Sequence, residues 1–394
     1  MKRIIALLAV SIATLQTSHA QKFDWNVDFA YLFDNYEYDR SSNAFERSYT
    51  INAARLTPEF GVRIADGHDK VHRIMAGVDI IKDMGAGIEN SGLFHEILLN
   101  YRIDARLGRD RWFSATAGCF PRSFAEGDYG GPFFRAEYLF CDPNIEGMFF
   151  KYRSPKVRAE IGLDWLGKYV GDSDPARRER FQVLSSGSWE FVNRLSLCWT
   201  GLFYHYACSP MAPNVVDNHM LNPYLRWNPR VRSLDVLSVT AGALLSYQND
   251  RDADDLRLPA GFLSRQKVGK WHVNVDNMFY IGEDMQPFRD TYGNELYPGV
   301  GAFHLDSPSW TDRLAISYTP VITGWMDLCV AAVFDFGAPF EGIPVYRGCR
   351  QVCSLHVNLE SLHPAFAAPK PQPQRKKQQN PFSIFDKFRE FYEL

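Results

Sequence analysis

The sequence lacks several things that would fix its class at once. After the first twenty residues there is no apolar run of about 18 residues, so no helix is long enough to cross a bilayer. There is no CxxC pair, and the seven cysteines are odd in number: Cys119, Cys141, Cys198, Cys208, Cys329, Cys349 and Cys353. A zinc site and a disulfide framework are therefore not expected, and Cys141 and Cys208 are the best-placed pair for any bridge. No phosphate-cradling loop and no GxSxG elbow is present. His95-Glu96 begins like HExxH, but Leu99 stands where the second histidine is needed. The formal net charge is only -3, and no basic stripe runs along the chain, which argues against nucleic acid as a partner. No cofactor is implied.

What is present is period-two alternation. In Lys270–Phe279, Trp271, Val273, Val275 and Phe279 fall on one side of an extended strand; His272, Asn274 and Asp276 fall on the other. In Val157–Trp165, Val157, Ala159, Ile161, Leu163 and Trp165 oppose Arg158, Glu160 and Asp164. Leu56, Phe60, Val62 and Ile64 likewise oppose Arg55, Glu59 and Arg63, with Pro58 as the weak point of that strand. Ile97, Leu99, Tyr101 and Ile103 oppose Glu96, Asn100, Arg102 and Asp104. A membrane-spanning chain without an apolar helix must be a closed sheet, with lipid outside and water inside. The aromatic share, 14%, fits the interfacial girdles of such a barrel.

The pattern repeats through Phe23–Tyr38, Ala54–Ile64, Val71–Ile81, Leu93–Asp104, Arg111–Phe120, Glu146–Arg153, Val157–Leu166, Phe181–Phe191, Arg194–Tyr206, Met220–Trp227, Leu234–Tyr247, Pro259–Val268, Lys270–Gly282, Trp310–Thr319, Trp325–Phe336 and Arg350–Leu359. The expected fold is all-β: a transmembrane antiparallel barrel of about sixteen strands. Short turns at Asp66–Asp69, Ser154–Lys156, Val192–Asn193 and Pro320–Gly324 alternate with longer connections, which places the short turns and both chain ends on the periplasmic side. Glu283–Ser309 is one of the longer connections. Another lies between Phe120 and Glu146 and contains Gly127-Asp128-Tyr129-Gly130-Gly131-Pro132. It is long enough to fold inward and constrict the lumen, to cap the barrel from outside, or to hide a further hairpin at Phe133–Phe140.

Four segments follow. Residues 1–20 read as a signal peptide, with Lys2 and Arg3 before an apolar core and Ser18-His19-Ala20 at the cut. Residues 21–363 form the barrel. Residues 364–379 are a linker rich in Pro, Gln and Lys. Residues 380–394 form a short amphipathic helix, capped by Asn380-Pro381 and carrying Phe385, Phe388, Phe391 and Tyr392. The segment packs under the barrel, stays disordered, or engages a periplasmic protein.

Ten residues are expected to line the lumen: Arg55, Glu59, Arg63, Glu96, Arg102, Arg158, Glu160, Asp164, His272 and Asp276. Mixed charges in that position select solutes by size and charge, or pair across a narrow lumen and plug it. A second set lies at or near loop ends: His205, Asp217, His219, Asp276, Glu283 and Asp284. A histidine and a carboxylate at a barrel rim can activate water.

The phrases Phe120-Pro121-Arg122, Asp142-Pro143-Asn144-Ile145-Glu146-Gly147, Asp164-Trp165, Asn222-Pro223-Tyr224 and Leu296-Tyr297-Pro298-Gly299 occur together. With them the chain resembles uncharacterised, porin-like outer-membrane β-barrel proteins of Bacteroides-type bacteria, from Phe23 to Leu359. The resemblance implies location and architecture, but neither substrate nor catalytic residues. The chain ends on Leu394 rather than on a strand-closing aromatic, so its assembly signal is expected near Gln351–Leu359. The functional expectation is a porin-like channel of the Gram-negative outer membrane for small hydrophilic solutes. The alternatives are a barrel-embedded hydrolase acting at the outer rim, and a closed barrel that binds a ligand or partner through its loops.

Overall fold

The computed structural model describes residues 21–361 apart from 39–47, 68, 86–93, 171–173, 175, 210, 212–213, 298–308 and 340–344. The expected signal peptide, linker and C-terminal helix lie outside the described residues. Seventeen strands form one antiparallel sheet: β1 (Gln21–Tyr38), β2 (Tyr49–Asp66), β3 (Lys70–Asp83), β4 (Phe94–Gly108), β5 (Arg111–Pro121), β6 (Asn144–Arg153), β7 (Val157–Gly167), β8 (Arg180–Val192), β9 (Leu195–Tyr206), β10 (Val216–Trp227), β11 (Val236–Asp250), β12 (Asp255–Arg257), β13 (Ala260–Lys270), β14 (Val273–Gly282), β15 (Ser309–Ile322), β16 (Met326–Pro339) and β17 (Val345–Glu360). The three-residue β12 pairs only with β11, which itself continues to β13. Sixteen strands therefore make the wall, and β1 closes it by pairing with β17 from Asn26↔Glu360 to Tyr38↔Gly348. Closure leaves no wall strand among the described residues without a neighbour on both sides.

The alternation read from the sequence is the inside–outside pleat of this wall. Ile97, Leu99, Phe150, Ile161, Leu225, Val275, Ile316 and Val330 point outward and are exposed. Such a continuous apolar belt has no place in water and is the surface a barrel shows to lipid. Stacked aromatics mark one rim, as at Phe279–Trp310. Trp189, Trp227 and Trp271 mark the other, where the short turns and both ends of the described chain lie.

One turn departs from the expectation. Lys270 to Phe279 is not a single strand: β13 ends at Lys270 and β14 begins at Val273. Trp271 and His272 make the two-residue turn between them, with φ of 51° and 68°. A two-residue hairpin of this hand needs positive φ at both central positions. Asp235 accepts a bond from the Trp271 N–H at 2.9 Å, and Lys270 lies 4.7 Å from its ring centre. His272 is therefore exposed in a turn and does not line the lumen, because the turn shifts it off the pleat.

The long connection between β5 and β6 folds inward. It contains a single 3-10 turn, Arg122–Phe124, and the helix α1 (Ala136–Cys141). Phe133 and Phe134 pack in the lumen against Phe120, Phe149, Leu184, Leu202, Tyr204, Met220, Leu244 and Tyr280 of the wall. Phe140 packs against Leu32, Val333 and Val352. From the β14–β15 connection, with helix α2 (Arg289–Leu296), Met285, Phe288, Leu296 and Tyr297 join the same apolar cluster. Burying one phenylalanine stabilises by about 1.5–3 kcal/mol, so these side chains hold both segments inside the barrel. Residues Phe133–Phe140 enter α1 and do not form a hairpin. All seven cysteines are free thiols, Cys141 and Cys208 included.

Candidate functional site

Most of the ten residues named from the sequence lie on the inward phase of their strands, and several grip the inward loop. Arg55 pairs with Asp79 and donates to the Phe140 carbonyl at 2.7 Å. Asp164 accepts from Arg122 at 2.7 Å, from Gln182 at 2.7 Å and from the Glu146 N–H at 3.1 Å. Glu160 accepts the N–H groups of Glu126 and Gly127, both at 2.7 Å. Glu96 accepts from Asn144 at 2.7 Å, and Glu59 is met by Asn26 and Asn100. Arg102 pairs with Asp104, and Asp276 with Arg265, which also reaches Asp128 of the loop. Arg63 stands opposite Arg73 near the short-turn end, and Arg158 opposite Arg153. Burial works against the charge of Arg122, but Asp164 beside it drives its pKa above the usual arginine value. The loop is thus bolted to the wall by charge as well as by apolar packing.

Removing one member of such a buried pair costs about 3–5 kcal/mol, because the other charge stays buried without its partner. We expect Asp164→Asn to lower the urea midpoint of the folded barrel in micelles. Asp66→Asn, which loosens the exposed contacts of Asp66 with Lys70 and His72, leaves the midpoint in place.

The second set of expected residues divides. Glu283 accepts the Ala260 N–H and Asp284 accepts the Gln286 N–H, both at 2.9 Å, and so they hold a loop. Asp276 belongs to the lumen. His205, Asp217 and His219 come together, on the outward face of the wall at its long-loop end. Strand register lays Trp165, Phe181, His205, Asp217 and Asn249 in one row across β7 to β11. One step toward the short turns, Leu163, Val183, Phe203, His219 and Tyr247 form the next row.

His205 Nδ1 lies 3.1 Å from Asp217 Oδ1. Arg251, just past the end of β11, donates to both Asp217 oxygens at 2.8 and 3.0 Å. Asp217 is buried beneath these partners, whereas the His205 side chain is 25% exposed. Around them the surface is aromatic. Phe181 lies 5.1 Å from His205 and 5.6 Å from Trp165, ring centre to ring centre. His219 stacks on Tyr247 at 5.6 Å and tilts against Phe203 at 5.7 Å. In the tautomer that gives Nδ1–H to Asp217, His205 Nε2 carries the lone pair. The two rows contain no serine, threonine or cysteine, so water is the nucleophile this arrangement is suited to activate.

Sequence reasoning named the two histidines and Asp217 but missed Arg251. A signal was available. Phe203, His205 and Asp217, His219 share the outward phase of β9 and β10, where lipid calls for apolar side chains. Polar residues in that phase are the anomaly to look for.

A sequence profile named Lipid A 3'-O-deacylase-type matches residues 15–320. The chain belongs to that family. The expected resemblance to outer-membrane barrels holds, the family is a named one, and the Bacteroides-type origin receives no support. No curated protein matches this deacylase-type chain in sequence. Among solved structures, it is similar to OmpT, an outer membrane protein of Vibrio cholerae. The loop L8 deletion mutant gives a TM-score of 0.52 at 7% identity, covering 86% of this chain and 100% of that chain. The in-vitro folded form gives 0.51 at 8% identity, covering 87% and 99%. The anion-selective porin from Comamonas acidovorans gives 0.48 at 10% identity, covering 86% and 99%. At such identities the OmpT likeness speaks to the fold alone: a closed outer-membrane barrel.

Proposed function

We propose that this deacylase-type barrel is an outer-membrane hydrolase that removes an ester-linked acyl chain from lipid A, with the 3'-O position suggested by the family name. The observation that carries the reading is the His205–Asp217–Arg251 cluster, set on the outward wall at the long-loop rim. A lipid ester at the outer leaflet reaches such a site without entering the lumen. His205 Nε2 takes a proton from water as its oxygen adds to the acyl carbonyl. Asp217 holds the imidazole and stabilises its charged form, and Arg251 holds Asp217. His219 supplies an N–H to the oxyanion. The carbon–oxygen bond to the sugar then breaks, and His205 returns the proton to the departing alkoxide. The products are a free fatty acid and a lipid A hydroxyl. No cofactor enters the scheme. Trp165, Phe181, Phe203 and Tyr247 supply the apolar surface on which the acyl chain lies.

The porin reading retains the sixteen-strand scaffold and a charged wall that would suit small hydrophilic solutes. Against it stands the apolar cluster across the lumen. Purified protein mixed with lipid A in micelles tests the hydrolase reading. Mass spectrometry is expected to find lipid A lighter by one ester-linked chain, together with the matching fatty acid. Intact lipid A after prolonged incubation with folded protein would overturn the reading.

A further inference from the structure

The rim at the short-turn end is unevenly charged. On the arc from β6 to β14 each short turn carries cations: Lys156 between β6 and β7, Arg194 between β8 and β9, Arg230 and Arg232 between β10 and β11, and Lys270 at the end of β13. The rest of the rim differs. The Pro320–Gly324 turn has no charged residue, and Lys70 of the β2–β3 turn is met by Asp66.

The cationic turns lie side by side. The Lys156 carbonyl accepts the Glu190 N–H at 2.8 Å, the Arg194 carbonyl accepts the Asn228 N–H at 3.0 Å, and the Gly269 carbonyl accepts the Asp235 N–H at 2.9 Å. The charges therefore form one row. Lys156, Arg230 and Arg232 are exposed and Arg194 is half-buried, and none of the four makes an ion pair among the described residues. Two carboxylates stand among them, Glu190 and Asp235, and Asp235 accepts the Trp271 N–H at 2.9 Å. On the outward side of the same arc, Trp189, Phe191, Leu197, Trp227 and Trp271 are exposed. Tryptophan in a membrane wall settles at headgroup depth, and Arg and Lys beside it extend their charge to the headgroups. The row thus lies at the height of lipid phosphates, whose negative charge it complements.

We propose that this arc binds anionic phospholipid of the leaflet that meets the short-turn rim, its phosphodiester reached by Arg194, Arg230 and Arg232. A soluble polyanion would need no aromatic band along the cations. The surface lies at the opposite end of the wall from the His205 cluster and does not depend on it.

Native mass spectrometry of the folded full chain, released from micelles holding equal phosphatidylglycerol and phosphatidylethanolamine, tests the proposal. Phosphatidylglycerol is retained in preference. The double variant Arg230→Gln, Arg232→Gln loses about fivefold of that preference for each arginine removed. Lys22→Gln combined with Lys70→Gln removes the same charge from the other side of the rim and leaves the preference in place. Mobility on unheated gels confirms that each variant is folded. Equal retention of the two lipids by the folded chain would sink the proposal. So would a preference unchanged in the arginine variant, or one lost equally in both double variants. Retention of neither lipid, with binding to isolated peptidoglycan instead, would overturn it and assign the arc to a wall polymer.

Discussion

Replacing His205 by alanine is expected to lower acyl release from lipid A by about 10²–10⁴-fold, the usual contribution of a positioned general base. Asp217→Asn is expected to fall in the same range, because an amide neither fixes the imidazole tautomer nor stabilises its positive form. Each variant should still migrate as a folded barrel on unheated gels, since these side chains sit on the outer surface and support no part of the lumen packing. Asp276→Asn is the discriminating control. Asp276 pairs with Arg265 inside the barrel, so release should be unaffected. Equal losses in all three variants would point to a general effect on the barrel and against a rim site. Initial rates of fatty acid release, measured on matched amounts of folded protein, separate these outcomes.

The second large effect concerns the lumen. The full chain is expected to insert into planar bilayers without steady conductance, because the β5–β6 connection and the β14–β15 connection meet across the lumen in one apolar cluster. Pro121 and Asn144 are paired neighbours, so a tight glycine-rich turn can replace Ser123–Asp142 without pulling the strands apart. That excision removes Phe133, Phe134 and Phe140 from the waist. Conductance should rise by more than about tenfold, as it does when an apolar constriction becomes wettable. A full chain that conducts as well as the excised protein would mean that the loop does not block passage.

The wall was legible in the sequence because a lipid-facing barrel imposes its pleat on every strand. Each of the sixteen wall strands was anticipated within a few residues, and the sorting of short turns from long connections held at both ends. The turn at Trp271-His272 was not legible: neither residue is a turn former, and positive φ there is enforced by the strands on either side and by Asp235. The course of the inward loop was left open between constriction and cap. What decides it are contacts far apart in sequence, such as Arg55 with the Phe140 carbonyl and Arg265 with Asp128. No local pattern encodes those. α2 has Gly293 at φ 60° within it and lacks a side-chain cap, so no helical signal marked it.

The candidate site shows the same division. His205, Asp217 and His219 were visible as reactive residue types near strand ends. Their convergence depends on the β9–β10 register, which places His205 opposite Asp217 and Phe203 opposite His219. A slip of one residue would turn all of them into the lumen. Arg251 joins them only because β11 ends beside Asp217, a fact of strand pairing rather than of sequence spacing.

The most direct test of the central claim is hydrolysis of lipid A by the purified barrel in water enriched in oxygen-18. Attack by water activated at His205 predicts one labelled oxygen in the released fatty acid and none in the lipid A hydroxyl left behind. Absence of fatty acid release by a fully folded protein, or release with the label retained on the sugar, would contradict it.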